Sequence, residues 1–424
     1  MIETIYESVS AMFAVFLTVL AGSTIMWMME AWRDGKSVIS EENRSVGGMQ
    51  ESLSISLLVP ARHETAVIEH TVLGILACEY SNFDVVIIVG DDDPETAAIA
   101  WNLSYKYSSR VTVAIDYNPH KSKPSALNVG LDWCSGDIIG VFDAEDDVAP
   151  GILGAVAECF ERTGAGIVQG GVQLINTRSK WFSVRNCLEY YLWYRSRLHW
   201  HVRRGSFLPL GGNTVFIRRS VLVAAGGWND QSLTEDCELG VRLGRANTPV
   251  EVVYSPHTTT REETPLSLAS FARQRTRWGQ GFLQVLAKHD WDGLPTLNQR
   301  LIALYTLLTP IWQALSVLAL PIAIVGIAGL KVGENFAMFS FLPLLLLIWT
   351  VFLEVFALKE FGRDFGIRIG ARDIAMLVIT TLPYQFVLSY SGLRAVYRHL
   401  KGHSNWEKTS HVGAHRNGLL EGAK

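Results

Sequence analysis

The sequence predicts a doubly wound α/β domain placed between apolar, membrane-associated segments. Short runs rich in β-branched residues alternate with helical stretches, as in buried parallel sheets. Acidic clusters follow these runs, and such sheets bind ligands where their strands end. Long uncharged segments flank the pattern, and the 424 residues are 49% hydrophobic. These features indicate membrane segments in addition to a soluble domain.

The bulk composition narrows the functional classes. The formal net charge is -4, which gives no indication of nucleic-acid binding. The five cysteines are scattered, and no CxxC pair or Cys/His cluster indicates a zinc site. We therefore expect reduced thiols in a cytosolic domain and no nucleic acid among the partners.

The first apolar segment, residues 9–29, is uncharged and long enough to cross a bilayer. It lacks a basic start and a small-residue cleavage site, so we predict a transmembrane anchor over residues 1–30 rather than a removed signal peptide. Arg33 and Lys36 follow and place the next domain in the cytoplasm by the positive-inside rule. Residues 31–52 are expected to be a polar linker.

The α/β pattern is assigned to residues 53–260. The runs SISLLVP, VVIIVG and GDIIGVFD are expected to be buried strands, with helices over residues 66–77, 96–108 and 125–134. Segments with charged side chains that could bind a ligand follow these strands, at residues 60–64, 91–93 and 143–147. Because strand ends of such a sheet meet at one edge, we expect these side chains to line one site.

Two acid clusters are candidates for nucleotide and metal binding. Asp143 and Glu145 are two residues apart, so on an extended segment both carboxylates can face one divalent cation, Mg²⁺ or Mn²⁺. Such a cation would hold a diphosphate. Asp92 and Asp93 could accept hydrogen bonds from a nucleobase or a ribose. Acidic turns that cap helices are the structural alternative for both clusters. Lys123 could order the nucleotide, or mark a turn before a helix.

Thr234, Glu235 and Asp236 form a third acidic motif. Asp236 or Glu235 would serve as the general base that deprotonates an acceptor hydroxyl. The alternative is a helix start with Thr234 as its cap, and both interpretations can hold together. Gly212 and Asn213 lie in a tight loop that could let the backbone approach the acceptor.

A fourth motif, at residues 274–278, combines an amide, two cations and an indole. The guanidinium groups of Arg275 and Arg277 match phosphate oxygens, and the face of Trp278 could support a sugar ring beside Gln274. An interfacial helix with Arg and Trp at lipid headgroups is the alternative. We assign residues 261–298 to this interface region.

The remaining apolar segments predict further membrane association. Residues 301–330 and 336–358 are expected to be two spans, within a membrane region assigned to residues 299–358. Over residues 359–400 a basic segment precedes a hydrophobic helix that Pro383 interrupts, lying at the interface or spanning. Residues 180–204 predict an amphipathic helix on the membrane or on the spans, with a core helix as the alternative.

Together these motifs resemble family 2 glycosyltransferases, in particular the membrane-integrated branch that contains cellulose, chitin and hyaluronan synthases. That branch carries an acid after the second strand, a DxD, a TED and a QxxRW, in this order, before membrane helices. Here the motifs stand at residues 91–93, 143–145, 234–236 and 274–278. The resemblance implies a GT-A nucleotide-sugar-binding fold inserted between transmembrane and interfacial helices.

The resemblance also implies roles for the motif residues. Asp143 and Glu145 would hold the metal and diphosphate, and Asp236 would be the base of a single inverting displacement. The donor would contact Asp92, Asp93, Lys123, Gln274, Arg275, Arg277 and Trp278, and the acceptor would contact Trp278, Gly212, Asn213 and Thr234. Trp406, Lys408 and Thr409 would belong to a gating-loop-like cytoplasmic tail over residues 401–424.

The expected function is extension of a β-linked polysaccharide from a UDP-sugar at the cell (inner) membrane, by a multi-pass enzyme with its catalytic domain in the cytoplasm. Export, with a separate accessory or export subunit, could accompany it. The first alternative is transfer of one sugar to a lipid acceptor, such as a diacylglycerol or a polyprenyl phosphate. The second is a non-catalytic binding subunit or transporter component.

Overall fold

The computed structural model of this chain describes residues 2–33, 52–205, 207–318, 321 and 342–403. The strands in this part are β1 (Ile55–Ala61), β2 (Phe83–Gly90), β3 (Val111–Asp116), β4 (Ile138–Val141), β5 (Ile167–Gly170), β6 (Val172–Leu174), β7 (Val215–Arg218), β8 (Val250–Val253) and β9 (Thr260–Glu262). All three predicted strand runs are confirmed as β1, β2 and β4.

The helices that lie within and beside the sheets are α1 (Ile2–Met29), α2 (Ile68–Leu76), α3 (Pro94–Lys106), α4 (Lys123–Leu131), α5 (Ile152–Thr163), α6 (Ser183–Leu192), α7 (Leu198–Arg203), α8 (Arg219–Ala224) and α9 (Glu235–Arg245). Those that follow are α10 (Leu268–Ala287), α11 (Leu297–Leu307), α12 (Thr309–Ser316), α13 (Leu342–Asp364), α14 (Ala371–Ile379) and α15 (Thr381–Leu400). Short 3₁₀ turns occur at Glu30–Trp32 and Asp290–Gly293, and a π-helical turn, Trp193–Arg197, joins α6 to α7.

The main sheet is mixed, with the strand order β3-β2-β1-β4-β7-β5-β8. Strands β3, β2, β1 and β4 are parallel, β7 is antiparallel to both of its neighbours, and β5 pairs in parallel with β8. A second, two-stranded sheet pairs β6 with β9. The sequence prediction of a doubly wound mixed α/β sheet is confirmed.

The sheet is covered on both faces because the side chains of each strand alternate between them. Leu57 of β1 packs into the same core as Val72 of α2, whereas its neighbour Leu58 packs into the core that holds Leu127 of α4. These side chains are fully or almost fully buried. Strands buried on both faces have continuous apolar sequences, which is why their runs were recognisable.

The helical segment predicted over residues 180–204 is present as α6, the π turn and α7. It is mostly a core element: Cys187 and Tyr191 are completely buried. Helix α6 packs on β6 of the small sheet and on α13. The Arg185 side chain is also buried and pairs with Glu354 of α13 at 3.0 Å. The segment therefore connects the α/β domain to an apolar helix.

Two helices are long and apolar enough to cross a membrane, Tyr6–Trp32 and Leu342–Asp364, among the residues that the structure describes. They flank the α/β domain in the sequence and pack against each other. Helices α14 and α15 could form a third, broken span, since they pass the same test together but are bent by 46°.

Three expected membrane segments can be compared with the described helices. The predicted span over residues 301–330 starts as two short helices, α11 and α12, that break at Leu308, and most of its remainder lies outside the described residues. The span expected at 336–358 continues to Asp364, and its first six residues are not described. The last apolar helix breaks at Thr380 and not at Pro383, because a proline is tolerated in the first turn of α15.

Candidate active site

The carboxyl ends of the parallel strands meet at one edge of the sheet, as expected. Glu64 follows β1, Asp143 and Glu145 follow β4, and the loop before β7 carries Gly212. These residues line one cavity of about 770 Å³. Lys123, the first residue of α4, lines it as well.

The segment with Asp143 and Glu145 is a turn and not the extended strand that the sequence prediction assumed. The Asp146 N–H donates to the Asp143 carbonyl at 3.2 Å, and the Asp143 N–H donates to Asp146 Oδ2 at 2.9 Å. Burial, then the neighbouring Asp143 and Glu64 carboxylates, raise the pKa of Glu145 to about 8. The turn still brings the predicted pair of carboxylates together.

Lys123 connects this turn to the loop before β7. Its ammonium group pairs with Asp143 and donates to the Gly212 carbonyl at 2.7 Å. Burial opposes the charged form of Lys123, but Asp143 and Glu235 outweigh burial and raise its pKa above the ordinary value. Lys123 therefore remains a cation at the centre of the carboxylates.

Glu235 and Asp236 begin α9, next to the same loop. A side-chain carbon built on Gly212 would lie 3.2 Å from Asp236 Oδ2 and 3.4 Å from Lys123 Nζ. Burial, followed by Asp236, raises the pKa of Glu235 to about 7. Burial also raises the pKa of Asp236. Thr234 precedes the helix, but its side chain makes no capping hydrogen bond, so the capping alternative is wrong in that detail.

Asn213 binds the acids on the other side of the loop. Its amide group donates to Asp146 Oδ1 at 3.1 Å and to Glu262 of β9. Asp146 is completely buried, and burial, then Glu262, raises its pKa well above the ordinary value. Asn213 thus positions the turn after β4 as well as facing the cavity.

The fourth motif lies in helix α10, beside the cavity. Gln274, Arg275, Arg277 and Trp278 all line it. Burial lowers the pKa of Arg277, opposed by Glu235, Asp236 and Asp143 in that order, so its charge is close to these three carboxylates. Gln274 Oε1 is buried and makes no hydrogen bond to the described residues.

Arg275 has a different environment from Arg277. It pairs with Glu189 of α6 at 2.6 Å and donates to Asn186 Oδ1 at 2.7 Å. Its guanidinium also lies 4.7 Å from the ring centre of Trp278. These contacts bind Arg275 to α6, so the structure supports a positioning role beside Trp278 for it.

Asp92 and Asp93 do not line the cavity. Asp93 caps α3 by accepting from the Thr96 N–H at 3.2 Å, and it also accepts from the His63 N–H at 2.5 Å. Asp92 pairs with Arg62, which does line the cavity, at 2.5 Å. The capping alternative is therefore confirmed for Asp93.

Several cavity residues were not predicted from sequence. They include Asp116, Arg197 and Glu262. Asp116 ends β3 and follows the same strand-end rule as the acids that were found, so that rule could have identified it. Arg197 and Glu262 come from a π turn and an edge strand, where no local motif marks them. Trp406, Lys408 and Thr409 lie outside the described residues.

The carboxylates at the turn fit a divalent cation. Glu145 is buried beside Asp143 and Glu64, and this crowding of negative charge is relieved by a bound proton or a cation. Magnesium sites beside nucleotides commonly use only one or two protein carboxylates and take further oxygens from phosphates. No group of three or more metal-ligating side chains occurs in the part of the chain that the structure describes.

Comparison with known sequences places these residues in a family. The chain matches the profile described as Glycosyltransferase like family 2 over residues 53–281, more than half of its length. Beta-monoglucosyldiacylglycerol synthase of Trichormus variabilis is 30% identical over 58% of this chain and 52% of that protein. Poly-beta-1,6-N-acetyl-D-glucosamine synthase of Staphylococcus epidermidis is 23% identical over 64% of this chain and 62% of that protein. The chain thus spans about half the length of the glycolipid synthases it matches.

A solved structure shares the fold. The mannosyltransferase PcManGT from Pyrobaculum calidifontis, in complex with GDP-Man and Mn²⁺, superposes with a TM-score of 0.54 at 15% identity. The superposition covers 93% of this chain and 99% of that chain. At this identity the likeness shows the fold, which is the GT-A fold expected from the four motifs.

Proposed function

Because this chain belongs to the glycosyltransferase like family 2, we propose that it transfers a sugar from a UDP-sugar, with inversion, to a hydroxyl that enters from the membrane. One observation carries the proposal. The cavity that holds Asp143 and Asp236 is also lined by Trp27 of α1 and Pro310 of α12. A polar reaction centre that continues between apolar helices suits an acceptor of mixed polarity.

The roles of the protein groups follow from their positions. The acceptor oxygen attacks the anomeric carbon, its proton passes to an Asp236 carboxylate oxygen, and the bond to the diphosphate breaks with both electrons leaving on UDP. Burial raises the pKa of Asp236, which makes it a stronger base than an exposed carboxylate. Lys123 and Arg277 lie beside the acids and stabilise the charge of the departing diphosphate.

Asp143 and Glu145 would hold Mg²⁺ or Mn²⁺, as proposed from the sequence. When bound, such a cation supplies charge neutralisation for the diphosphate. Lys123 now pairs with Asp143, so it holds that carboxylate in place toward the cavity. Gly212 leaves space between Lys123 and Asp236 for the reacting atoms, because any side chain there would contact both groups.

We favour a membrane lipid as the acceptor, with one sugar added. This choice reverses the order of the two enzyme hypotheses from the sequence, because the cavity continues to α1 and α12 and because the relatives at 30% identity are glycolipid synthases. Extension of a β-linked polysaccharide is the second candidate. It is favoured by the similarity to a poly-N-acetylglucosamine synthase and by Trp278, whose ring lines the cavity where a terminal sugar could stack.

The proposal includes a location and an arrangement. The α/β domain lies on the cytoplasmic side of the cell (inner) membrane, with α1 and α13 as spans of a multi-pass protein. This placement is supported by Arg33 and Lys36 after the first span, under the positive-inside rule. We also propose that the α/β domain covers residues 53–260 and that the interface region covers residues 261–298.

The test is UDP release by the purified full chain with a panel of UDP-sugars, in the presence of Mn²⁺ or Mg²⁺, followed by product analysis. Asp236→Asn keeps the size of the side chain and removes the base. We expect release from one donor, a loss of about a hundredfold or more in the variant, and unchanged UDP binding. A single-sugar glycolipid supports the lipid acceptor, a ladder of products supports the polysaccharide, and full activity of Asp236→Asn contradicts the assigned base.

A further inference from the structure

Arg197 is a cation that lines the cavity beside α1, and it belongs to none of the four motifs found in the sequence. It ends the π turn Trp193–Arg197. Its guanidinium lies over the ring of Trp27 in α1, 4.0 Å from the centroid, and 4.7 Å from that of Trp193. All three side chains line the cavity.

Neighbouring cations of the same segment have carboxylate partners. Arg195 pairs with Asp364 at 3.0 Å, and Arg203 pairs with Glu30 at 2.6 Å. Within the described residues Arg197 pairs with no carboxylate, and its buried Nε makes no hydrogen bond. Burial lowers its pKa to about 10, which leaves it charged at neutral pH. A desolvated cation that no carboxylate contacts directly is costly, so the site is suited to an anionic ligand.

The donor diphosphate is not the expected anion. Lys123 pairs with Asp143 and donates to the Gly212 carbonyl, whereas Arg197 lies over the rings of Trp27 and Trp193. The two cations therefore have different direct neighbours within one cavity.

The position of Arg197 indicates the origin of its ligand. Trp27 lies in the last turn of α1, near the end of the first candidate span. Ser196 donates to the Trp27 carbonyl and fixes the π turn to that helix end. Thr24, Met28 and Gln313 line the same cavity. Indole rings at the end of a span lie at the level of lipid headgroups, which is where lipid phosphates lie.

We propose that Arg197 binds the phosphate of an anionic phospholipid, and that the free hydroxyl of the same headgroup is the acceptor. The second half of this statement rests on the proposed lipid-acceptor function. The phosphate binds the Arg197 guanidinium, which the two indole rings hold in position, and the acyl chains leave between α1 and α12. The headgroup hydroxyl points along the cavity toward Asp236.

The test uses two lipids that differ in the phosphate, dioleoyl phosphatidylglycerol and dioleoylglycerol, both of which have a free hydroxyl. Native mass spectrometry of the detergent-solubilised full chain measures how much of each lipid is retained. The variants are Arg197→Gln, Arg197→Lys and Arg204→Gln. Arg204 is the matched control, since it also lies over an indole, 4.4 Å from the Trp200 centroid, but is exposed and does not line the cavity.

We expect Arg197→Gln to lower retention of phosphatidylglycerol about tenfold or more, as for loss of a charge-assisted hydrogen bond. Arg197→Lys should keep most of it, Arg204→Gln should keep all of it, and retention of dioleoylglycerol should not change. Equal retention by wild type and Arg197→Gln overturns the inference. So does equal loss in Arg204→Gln, or loss in a folded Arg197→Lys variant.

Two further measurements separate the inference from the proposed function. UDP binding must be unchanged in Arg197→Gln, and a matching fall in UDP affinity would assign Arg197 to the donor and overturn the phospholipid site. Sugar transfer is then measured with each lipid as acceptor. Retention that depends on Arg197 without transfer to either lipid supports the phospholipid site but refutes the lipid-acceptor function.

Discussion

Gly281 of α10 is the point where the fourth motif's helix meets the segment that carries Glu235 and Asp236. A side-chain carbon built there would lie 2.4 Å from both Thr234 Oγ1 and Thr234 Cγ2, and 2.8 Å from Thr234 Cβ. Ordinary contacts begin at 3.4 Å, and rotation of the Thr234 side chain cannot relieve the contact with Cβ, so Gly281→Ala must separate the two elements by about 0.6–1.0 Å. Thr234 directly precedes Glu235 and Asp236, so this shift moves the base.

The expected effect of Gly281→Ala is larger on rate than on stability. A displacement of about 1 Å in a catalytic group costs about a hundredfold in rate. Overpacking costs about 1–3 kcal/mol, and alanine is better than glycine in a helix by about 1 kcal/mol. We therefore expect a net loss of about 0–2 kcal/mol in the free energy of unfolding.

The assay compares the initial rate of UDP release at saturating donor with the thermal unfolding midpoint. Gly154→Ala in α5 is the matched control, since no heavy atom lies within 4 Å of its new carbon. It should raise stability by about 0.5–1 kcal/mol without changing the rate. A Gly281→Ala enzyme with the wild-type rate would refute the idea that contact with α10 positions the base.

Three other predictions concern the same site. The transfer rate should fall as the pH drops below about 7, because the base must be deprotonated. Burial and Asp236 raise the pKa of Glu235 to about 7, and burial raises the pKa of Asp236. A flat profile of kcat between about pH 6 and about pH 8 would contradict this prediction. The folded state binds a proton on Glu145 up to about pH 8, whereas the unfolded chain loses it near the ordinary value of 4.5, so the unfolding midpoint should fall as pH rises through this window. At about pH 8, Mn²⁺ should raise the unfolding midpoint of the wild type and leave that of Glu145→Gln nearly unchanged. An equal rise in both proteins would refute the metal site. Glu189→Gln should lower the free energy of unfolding by about 1–2 kcal/mol, which is less than for a fully buried pair because the Glu189 side chain is 38% exposed. The same change should slow sugar transfer without weakening UDP binding. An equal loss of transfer and of UDP binding would show that Arg275 contacts the donor.

Local patterns were sufficient for the α/β domain. The β-branched runs predicted β1, β2 and β4, because a strand buried on both faces needs continuous apolar sequence. The motif acids at strand ends were found for a similar reason, since the ends of parallel strands meet at one edge. The family resemblance rested on the order of four motifs, which is also a property of sequence alone.

Contacts across the chain decided the roles that motifs left open. Asp93 caps a helix while Asp143 faces the cavity, although both are acids that follow a strand. The two arginines of the fourth motif have different partners: Arg275 pairs with Glu189 of α6, whereas Arg277 lies near Glu235 and Asp236. The break at Thr380 was misplaced at Pro383, since proline is unfavourable only beyond the first helical turn.

The sequence by itself therefore determined the fold class, the family and several of the charged residues that line the cavity, because these depend on periodicity and on motif order. Tertiary structure alone decided how the cavity continues from Asp236 to Trp27 and Arg197. Those residues are brought together by the packing of α1 and the π turn against the domain, and no spacing along the chain encodes that contact. The choice of acceptor depends on this part of the cavity, which is why it could not be made from the motifs.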